Sequence, residues 1–289
     1  MSPELLTLAG ITLVAATING ALGYGFSSIT VPLALFFFTN RILNPALVLL
    51  EVALNANVLW ANREKLHAVR RRVMPIIIGL VPGVIAGTWL LKFVNPGWIK
   101  LGTYIAVLPL ILVQAAGFRR PIKAEGEVNL VFGGGVGVLY SVTTISGPPL
   151  AIMLNNQGFV KQEFRAGLSL VRLAESSFTA VAYYFAGIYT LQSFKLIPFI
   201  FPSIVVGVPL GSFIIHRMAP ETFRRICMSF DAWIVGFGLS SVLRDLKVIQ
   251  GPLAYSVMAI VIAIDLVLLY RFFRAKKAGG VSASAVSPA

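Results

Sequence analysis

The chain has 289 residues, of which 57% are apolar and only 12% charged, with a mean hydropathy of +0.85 and a formal net charge of +13. A soluble domain carries roughly 25% charged residues, so this composition excludes an ordinary soluble globule, a secreted disulfide scaffold and a disordered polymer. It also argues against a nucleic-acid partner, because in a membrane protein an excess of Lys and Arg is expected as cytoplasmic loop charge. A single cysteine, Cys227, leaves no intrachain disulfide and no multi-cysteine metal site. The sequence is that of an integral membrane protein, and the lipid bilayer is its first partner.

Met1-Ser2-Pro3-Glu4 lacks the basic start of a secretory signal peptide, which predicts that the first apolar run is retained. A membrane span needs about 20 mostly apolar residues. On that criterion apolar runs cover 5–38, 45–61, 73–93, 98–118, 128–154, 166–188, 196–215, 223–243 and 253–273. The tail, 278–289, holds only Ala, Gly, Val, Ser and Pro, too little bulky apolar surface to pack, and is expected to be disordered.

Two runs are irregular. The first, 5–38, is too long for one helix and contains Asn19-Gly20, Gly23, Gly25, Ser27, Ser28, Thr30 and Pro32. The run 128–154 carries Gly133-Gly134-Gly135, Gly137, Ser141, Thr143, Thr144, Ser146, Gly147, Pro148 and Pro149. Two consecutive prolines remove two backbone donors and disfavour helix just before them. Non-helical backbone at membrane depth survives only when it is buried in protein or lines a wet cavity. Both runs are therefore expected to be broken or re-entrant helices.

The breaks open two matching halves. The stretch from Ile29 to Leu35 aligns with that from Ser146 to Ile152, setting Pro32 on Pro149; Gly83 and Gly87 match Gly207 and Gly211, and Asn95-Pro96 matches Ala219-Pro220. If each broken run returns to the side it entered from, 17 basic residues face one side and 6 the other; a single crossing by the second run would give 11 and 12. The excess predicts hairpins, with the clusters around Arg63 and Arg70, Arg119 and Lys123, Lys161 and Arg165, Arg217 and Arg225, and Arg271 and Lys277 in the cytoplasm. The expected fold is an all-α polytopic membrane protein built as an inverted repeat. Each half is a broken-helix hairpin plus three spans, and one extra C-terminal span brings the C-terminus to the cytoplasm. The organisation is 1–118 for the first repeat, 119–127 for a cytoplasmic linker, 128–245 for the second repeat, 246–277 for the final helix and 278–289 for the tail.

Inverted repeats with unwound helices in matching positions are a transporter design, in which half-helix N-termini offer unpaired N–H groups to an anion near mid-membrane. Gly and Pro clusters can also simply kink helices for packing. The hydroxyls beside the breaks, Ser27, Ser28 and Thr30 with Thr143, Thr144 and Ser146, are candidate substrate ligands that bring no permanent buried charge. Five ionisable residues lie inside the runs: Glu51, Arg172, Glu175, Asp231 and Asp265. Each needs a partner or a role, because an ionised side chain at a helix centre costs about 2.5–3.5 kcal/mol on insertion scales. Arg172 and Glu175, three apart, form either a self-contained pair or an anion site in which Arg172 contacts substrate and Glu175 orients it or accepts a proton. Glu51 and Asn55, one turn apart on the helix matched to this one through Ala46 and Ala166, face a cavity or bond a neighbouring helix. Asn55 joins the candidate substrate ligands, and Glu51 and Glu175 are the proton-coupling candidates. Asp231 and Asp265 could each carry a coupling proton, but structural partners across a helix interface are the expectation. Trp60, Trp89 and Trp98 fit interfacial belts. His67 and His216 lack metal-ligand spacing, no Gly-Lys-Ser/Thr follows the glycine run to make a phosphate loop, and no nucleophile–base–acid set is visible, so no enzyme, metal or cofactor is expected.

Ser146-Gly147-Pro148-Pro149-Leu150-Ala151-Ile152-Met153-Leu154-Asn155-Asn156-Gln157-Gly158, followed by Lys161-Gln162-Glu163-Phe164-Arg165-Ala166, resembles the second-half signature of the TauE/SafE sulfite-exporter family. The element Gly23-Tyr24-Gly25-Phe26-Ser27-Ser28 through Pro32 and the pattern from Gly83 to Pro96 look like its first-half counterpart, with Tyr24 and Phe26 in place of a glycine-richer pattern. The resemblance runs from about Leu5 to Leu243. It implies transport of a small sulfur-containing anion, such as sulfite or an organosulfonate, across the bacterial cytoplasmic (inner) membrane, without catalytic residues or bound cofactor. The expected function is a secondary transporter working by alternating access. The alternatives are an anion channel or uniporter and a non-transporting membrane scaffold, and assembly as a homo-oligomer is compatible with each.

Overall fold

A segment in hydrocarbon must satisfy its own backbone amides, and this chain does so with helices nearly throughout. The computed structural model describes residues 3–116, 126–157, 159, 161–215, 220–249 and 251–277. Arg119, Arg120, Lys123, Gly158, His216, Arg217, Ala219 and the tail 278–289 lie outside the described residues. In chain order the helices are α1 (Pro3–Leu22), α2 (Phe26–Ala34), α3 (Asn40–Ala61), α4 (Leu66–Phe93), α5 (Pro96–Ala115), α6 (Gly126–Thr143), α7 (Gly147–Asn156), α8 (Lys161–Ala186), α9 (Leu191–Ile215), α10 (Pro220–Asp245) and α11 (Ser256–Lys277). Seven of them, α1, α3, α4, α5, α9, α10 and α11, are long and apolar enough to cross a membrane. This is a multi-pass membrane protein.

Both irregular runs are broken, the first at Gly23 and Gly25 and the second just before Pro148-Pro149, while Gly133 to Gly137 stay inside α6 and Pro32 inside α2. Gly23 and Gly25 take positive φ between α1 and α2, and Thr144 takes a φ of 58° between α6 and α7. Each run is a long helix followed by a short return helix, so α1 alone, at 20 residues, is about 30 Å long. The return of the second run is recorded by one bond: Gln157, after α7, donates Nε2–H to Asn129 Oδ1 at the start of α6, at 2.8 Å. In the first run α2 folds back against α1.

Small residues set how the hairpins dock. A Cβ on Gly83 would collide with the Gly134 backbone, and one on Gly87 with Ser141 and Val138. Gly79 likewise abuts Leu130, so α4 and α6 run parallel with their backbones in direct contact. In the other half, Gly207 abuts Ala16 and Leu13, and Gly211 abuts Thr17, so α9 and α1 run parallel in the same way. The Ser203 hydroxyl adds a bond to the Ala9 carbonyl at 2.9 Å. These two interfaces are the most extensive in the molecule. Each hairpin is thus clasped by the fourth helix of the opposite half, through the glycine pairs that reveal the repeat. Close approach through small residues is how helices associate in lipid, where burying apolar surface gives no advantage.

Because α4 leads away from the face bearing Arg63 to Arg72 and α9 leads back toward it, α6 and α1 point in opposite directions. The halves are inverted. One sequence match shifts here. Pro32 is near the end of α2 whereas Pro149 is in the first turn of α7, so these prolines are not spatial equivalents. α8 is missing from the helices apolar enough to span by composition, because it carries Arg172, Glu175 and several hydroxyls through its middle.

α11 stands outside the repeat and packs antiparallel on α10. There Asp265, expected only to have some structural partner, accepts from Arg225 Nη2 at 2.7 Å and from Trp233 Nε1 at 3.0 Å. Arg225, counted with the cytoplasmic loop charges, is buried in this pair. Its charge clamps the last helix and adds nothing to the exposed basic face.

Steric contact at the clasps predicts that Gly83→Val and Gly211→Val each lower thermal stability in detergent, by about 1–3 kcal/mol or more as for other overpacked interiors. Gly10→Ala, with nothing near its Cβ position, should melt like the parent in the same size-exclusion thermal assay.

Candidate functional site

The site is built where the two breaks meet the middles of α3 and α8. Opening a helix leaves carbonyls without partners, and side chains from the following spans take them. The Val142 carbonyl, at the end of α6, accepts from Asn44 Nδ2 at 2.6 Å and Asn40 Nδ2 at 3.3 Å. The Tyr183 hydroxyl donates to the Ser141 carbonyl. Thr143 and Thr144, expected as substrate ligands, brace the bend: Thr143 Oγ1 donates to the Leu139 carbonyl and accepts from Ile145 N, and Thr144 Oγ1 donates to the Thr143 carbonyl.

Past the bends, the first residues of the short helices point at carboxylates. The Ser27 hydroxyl, in the first turn of α2, donates to Glu51 Oε1 on α3. The Ser146 hydroxyl, just before α7, donates to Glu175 Oε1 on α8. These are matching contacts in the two halves, a serine at the start of the return helix bonded to a carboxylate near the middle of the next span. They also correct the helix register by about one turn from the one set by Ala46 and Ala166, because Glu51 now corresponds to Glu175.

Arg172 joins the two. Its Nη2 lies 3.0 Å from Glu51 Oε1 and its Nε 4.0 Å from Glu175 Oε1. The pair on α8 is therefore not self-contained, and the closer partner of Arg172 is on α3. Tyr140, from α6, donates its hydroxyl to Glu51 Oε2 at 2.6 Å, and Asn55 donates to the Arg172 carbonyl at 3.3 Å. Glu51, Arg172 and Glu175 are all essentially removed from the molecular surface, at 0%, 3% and 0% exposure. Several polar atoms on this face keep unused capacity: Arg172 Nε, Glu175 Oε2, Thr30 Oγ1 and Thr179 Oγ1 are buried without a hydrogen-bond partner among the described residues. Native interiors leave few such atoms, and a concentration of them marks a place that binds something or moves.

Ser28 faces the other way, into a small hollow of about 20 Å³ bounded by Gly25, Pro148 and Asp231. The two half-helix ends are unequal donors. In α2 the first intrahelical bond is made by Ile29 N to the Gly25 carbonyl, so the N–H groups of Phe26, Ser27 and Ser28 precede it. In α7 the corresponding positions include Pro148 and Pro149, which have no N–H. A much larger groove of about 610 Å³ lies between α4 and α8, but its walls, including Ile85, Trp89 and Phe185, are apolar and open to the outside. Its only polar lining groups among the described residues are the Thr88 hydroxyl, the Trp89 indole and Lys92, against nine apolar side chains.

The arrangement of inverted clasped hairpins around a shared ion cluster is accompanied by a family match: the family model described as Sulfite exporter TauE/SafE matches residues 8–243. The chain belongs to the TauE/SafE sulfite exporter family. Membership identifies it as a membrane transporter of sulfur anions. No curated protein and no solved structure matches it.

Sequence reasoning missed Tyr140, Asn40, Asn44 and Tyr183. For Tyr140, Asn40 and Asn44 the signal was a polar side chain one to three turns from a predicted break, where freed carbonyls need donors; Tyr183, far along α8, carried no such signal.

Removing one partner of a buried ion pair typically costs about 3–5 kcal/mol because the other charge is left unpaired. Arg172→Met should therefore lower stability by an amount in that range. The double variant Glu51→Gln/Arg172→Met should recover much of the loss, as read by thermal unfolding of the four members of the cycle.

Proposed function

We propose that the protein is a secondary transporter that moves a small sulfur oxyanion, sulfite or an organosulfonate, by alternating access at the junction of the two breaks. The carrying observation is the linkage of Ser27, Glu51, Arg172, Glu175 and Ser146, which ties the return helix of each inverted half to one guanidinium. A solute that competes for Arg172 acts on both hairpins at once, because Glu51 and Glu175 each hold one of them. An oxyanion suits this competition, since a guanidinium binds a planar or tetrahedral oxygen group through parallel N–H donors. The donor-rich first turn of α2, with Ser28 and Thr30, supplies the remaining contacts.

Charge counting sets the terms of binding. Two carboxylates and one guanidinium sum to −1, and uncompensated charge inside a membrane is costly. We place a proton on Glu175, whose Oε2 has no other partner, while Glu51 receives three donors and stays the fixed counter-ion. Asn55 holds the Arg172 backbone, and Thr143 and Thr144 keep the bend that aims Ser146. The hollow has space for a single water, so an anion enters only when the hairpins separate; this favours a rocking carrier over a standing pore. In the cell the basic face, including Arg63, Arg70 and Arg165, lies in the bacterial cytoplasm with the C-terminus, and the protein carries out no chemical conversion.

In vesicles reconstituted with purified protein, sulfite flux should saturate and show counterflow. Arg172→Gln should reduce it by about tenfold or more, the usual size of losing a charge-assisted contact, and Glu175→Gln should retain it. Flux that fails to saturate, or that survives Arg172→Gln unchanged, would show the reading to be wrong.

A further inference from the structure

Asp231 lies on α10, near its middle, and only 8% of it is exposed. It differs from the other buried acids. Glu51 and Glu175 share Arg172 and the serines, and Asp265 has Arg225 and Trp233, whereas Oδ1 of Asp231 has no partner among the described residues. The side chain borders the hollow that both breaks reach, opposite Ser28 on α2 and Pro148 on α7. The titratable groups facing this hollow are Tyr24, at the first break, and Cys227, one turn earlier on α10; α1, α5 and α7 present Ile18, Ile111 and Pro148, and no Lys, Arg, His or Glu lines it.

We propose that Asp231 is the residue that takes up a proton when the anion binds at the first turn of α2, which makes transport a proton-linked symport; this rests on the anion site proposed above. Ser27 and Ser28 are consecutive, so the same helix end is flanked by the Glu51–Arg172 cluster on one side and by Asp231 on the other. The N-terminus of a helix favours negative charge. An ionised Asp231 occupies that field and repels an incoming anion, and a protonated one leaves it to the solute. Anion and proton binding then strengthen each other, and by linkage the effect is reciprocal. A metal cation fits this place poorly. Hard cations need about six oxygen ligands, and among the lining side chains only Asp231, Ser28 and Tyr24 carry oxygen.

The test uses the full-length protein in vesicles with labelled sulfite, whose own titration is common to every variant. Asp231→Asn should abolish accumulation driven by a proton gradient and flatten the pH dependence of apparent affinity by about tenfold, a typical size for one linked ligand. Counterflow at equal pH should persist, and Asp231→Glu should restore the gradient response. If Asp231→Asn does not fold, proton uptake on adding sulfite to the wild-type and Asp231→Glu proteins in weak buffer replaces it, and both should take up protons. Gradient-driven accumulation that survives Asp231→Asn, accumulation that follows a sodium gradient and ignores pH, or no proton uptake on binding would each overturn the assignment. Absence of counterflow in the wild type would instead overturn the transport reading itself.

Discussion

A single buried guanidinium shared by two carboxylates is the constraint around which the rest is arranged. Arg172 lies on α8, Glu51 on α3 and Glu175 one turn along from Arg172, and none of them has access to solvent that could satisfy its charge. In such surroundings each group is held by its partners or becomes very costly. The serines at the starts of α2 and α7 bond to those carboxylates, so the positions of the short helices are tied to the state of the ion cluster. Coupling of this kind needs no long chain of contacts. One charge is common to both hairpins, and whatever alters its bonding alters both.

The backbone breaks that bring the serines there are affordable only in protein surroundings. The Ser141 and Val142 carbonyls freed at the end of α6 are taken by Tyr183, Asn44 and Asn40. The hairpins are held at their long arms by backbone-to-backbone contact, α6 on α4 and α1 on α9. Such interfaces consist of small residues and few side-chain locks, so a hairpin can tilt against its clasp without losing interdigitated side chains. In the proposed rocking mechanism the ion cluster holds the short arms while the long arms act as bearings.

Much of this was legible in the sequence because its causes are local. Positive φ is easiest at Gly23 and Gly25 and Pro148-Pro149 lack two N–H donors, so the breaks fall there, and a return to the starting side follows from where the basic residues lie. Gly83, Gly87, Gly207 and Gly211 announced the repeat because close helix approach requires them in both halves. What could not be read was the pairing between elements distant in the chain. Arg172 and Glu175 looked like a pair at three residues' spacing, yet the shorter contact is to Glu51. Arg225 looked like a loop charge because its partner, Asp265, lies on a helix outside the repeat. A hydroxyl beside a break serves substrate and backbone equally well, and the backbone bonds that Thr143 and Thr144 make at the bend could not be read from the sequence. The register also slipped, since Pro32 and Pro149 have the same breaking chemistry at different points of their helices.

The departures from symmetry explain why a duplicated frame can hold a directional chemistry. The chain interval that carries Gly83 onto Gly207 and Glu51 onto Glu175 sets Arg172 opposite Val48 and Asp231 opposite Val107, both buried valines. The donors diverge in the reverse sense, because α2 begins with free N–H groups and α7 begins with prolines. One half thus contributes the hydrogen-bonding helix end, and the other contributes the cation and the unpaired acid. Under the proposed reading, a solute between the halves would meet each of these once, although the frame that presents them is repeated. Divergence at these few positions leaves the frame intact and gives its centre a single charge to contend for.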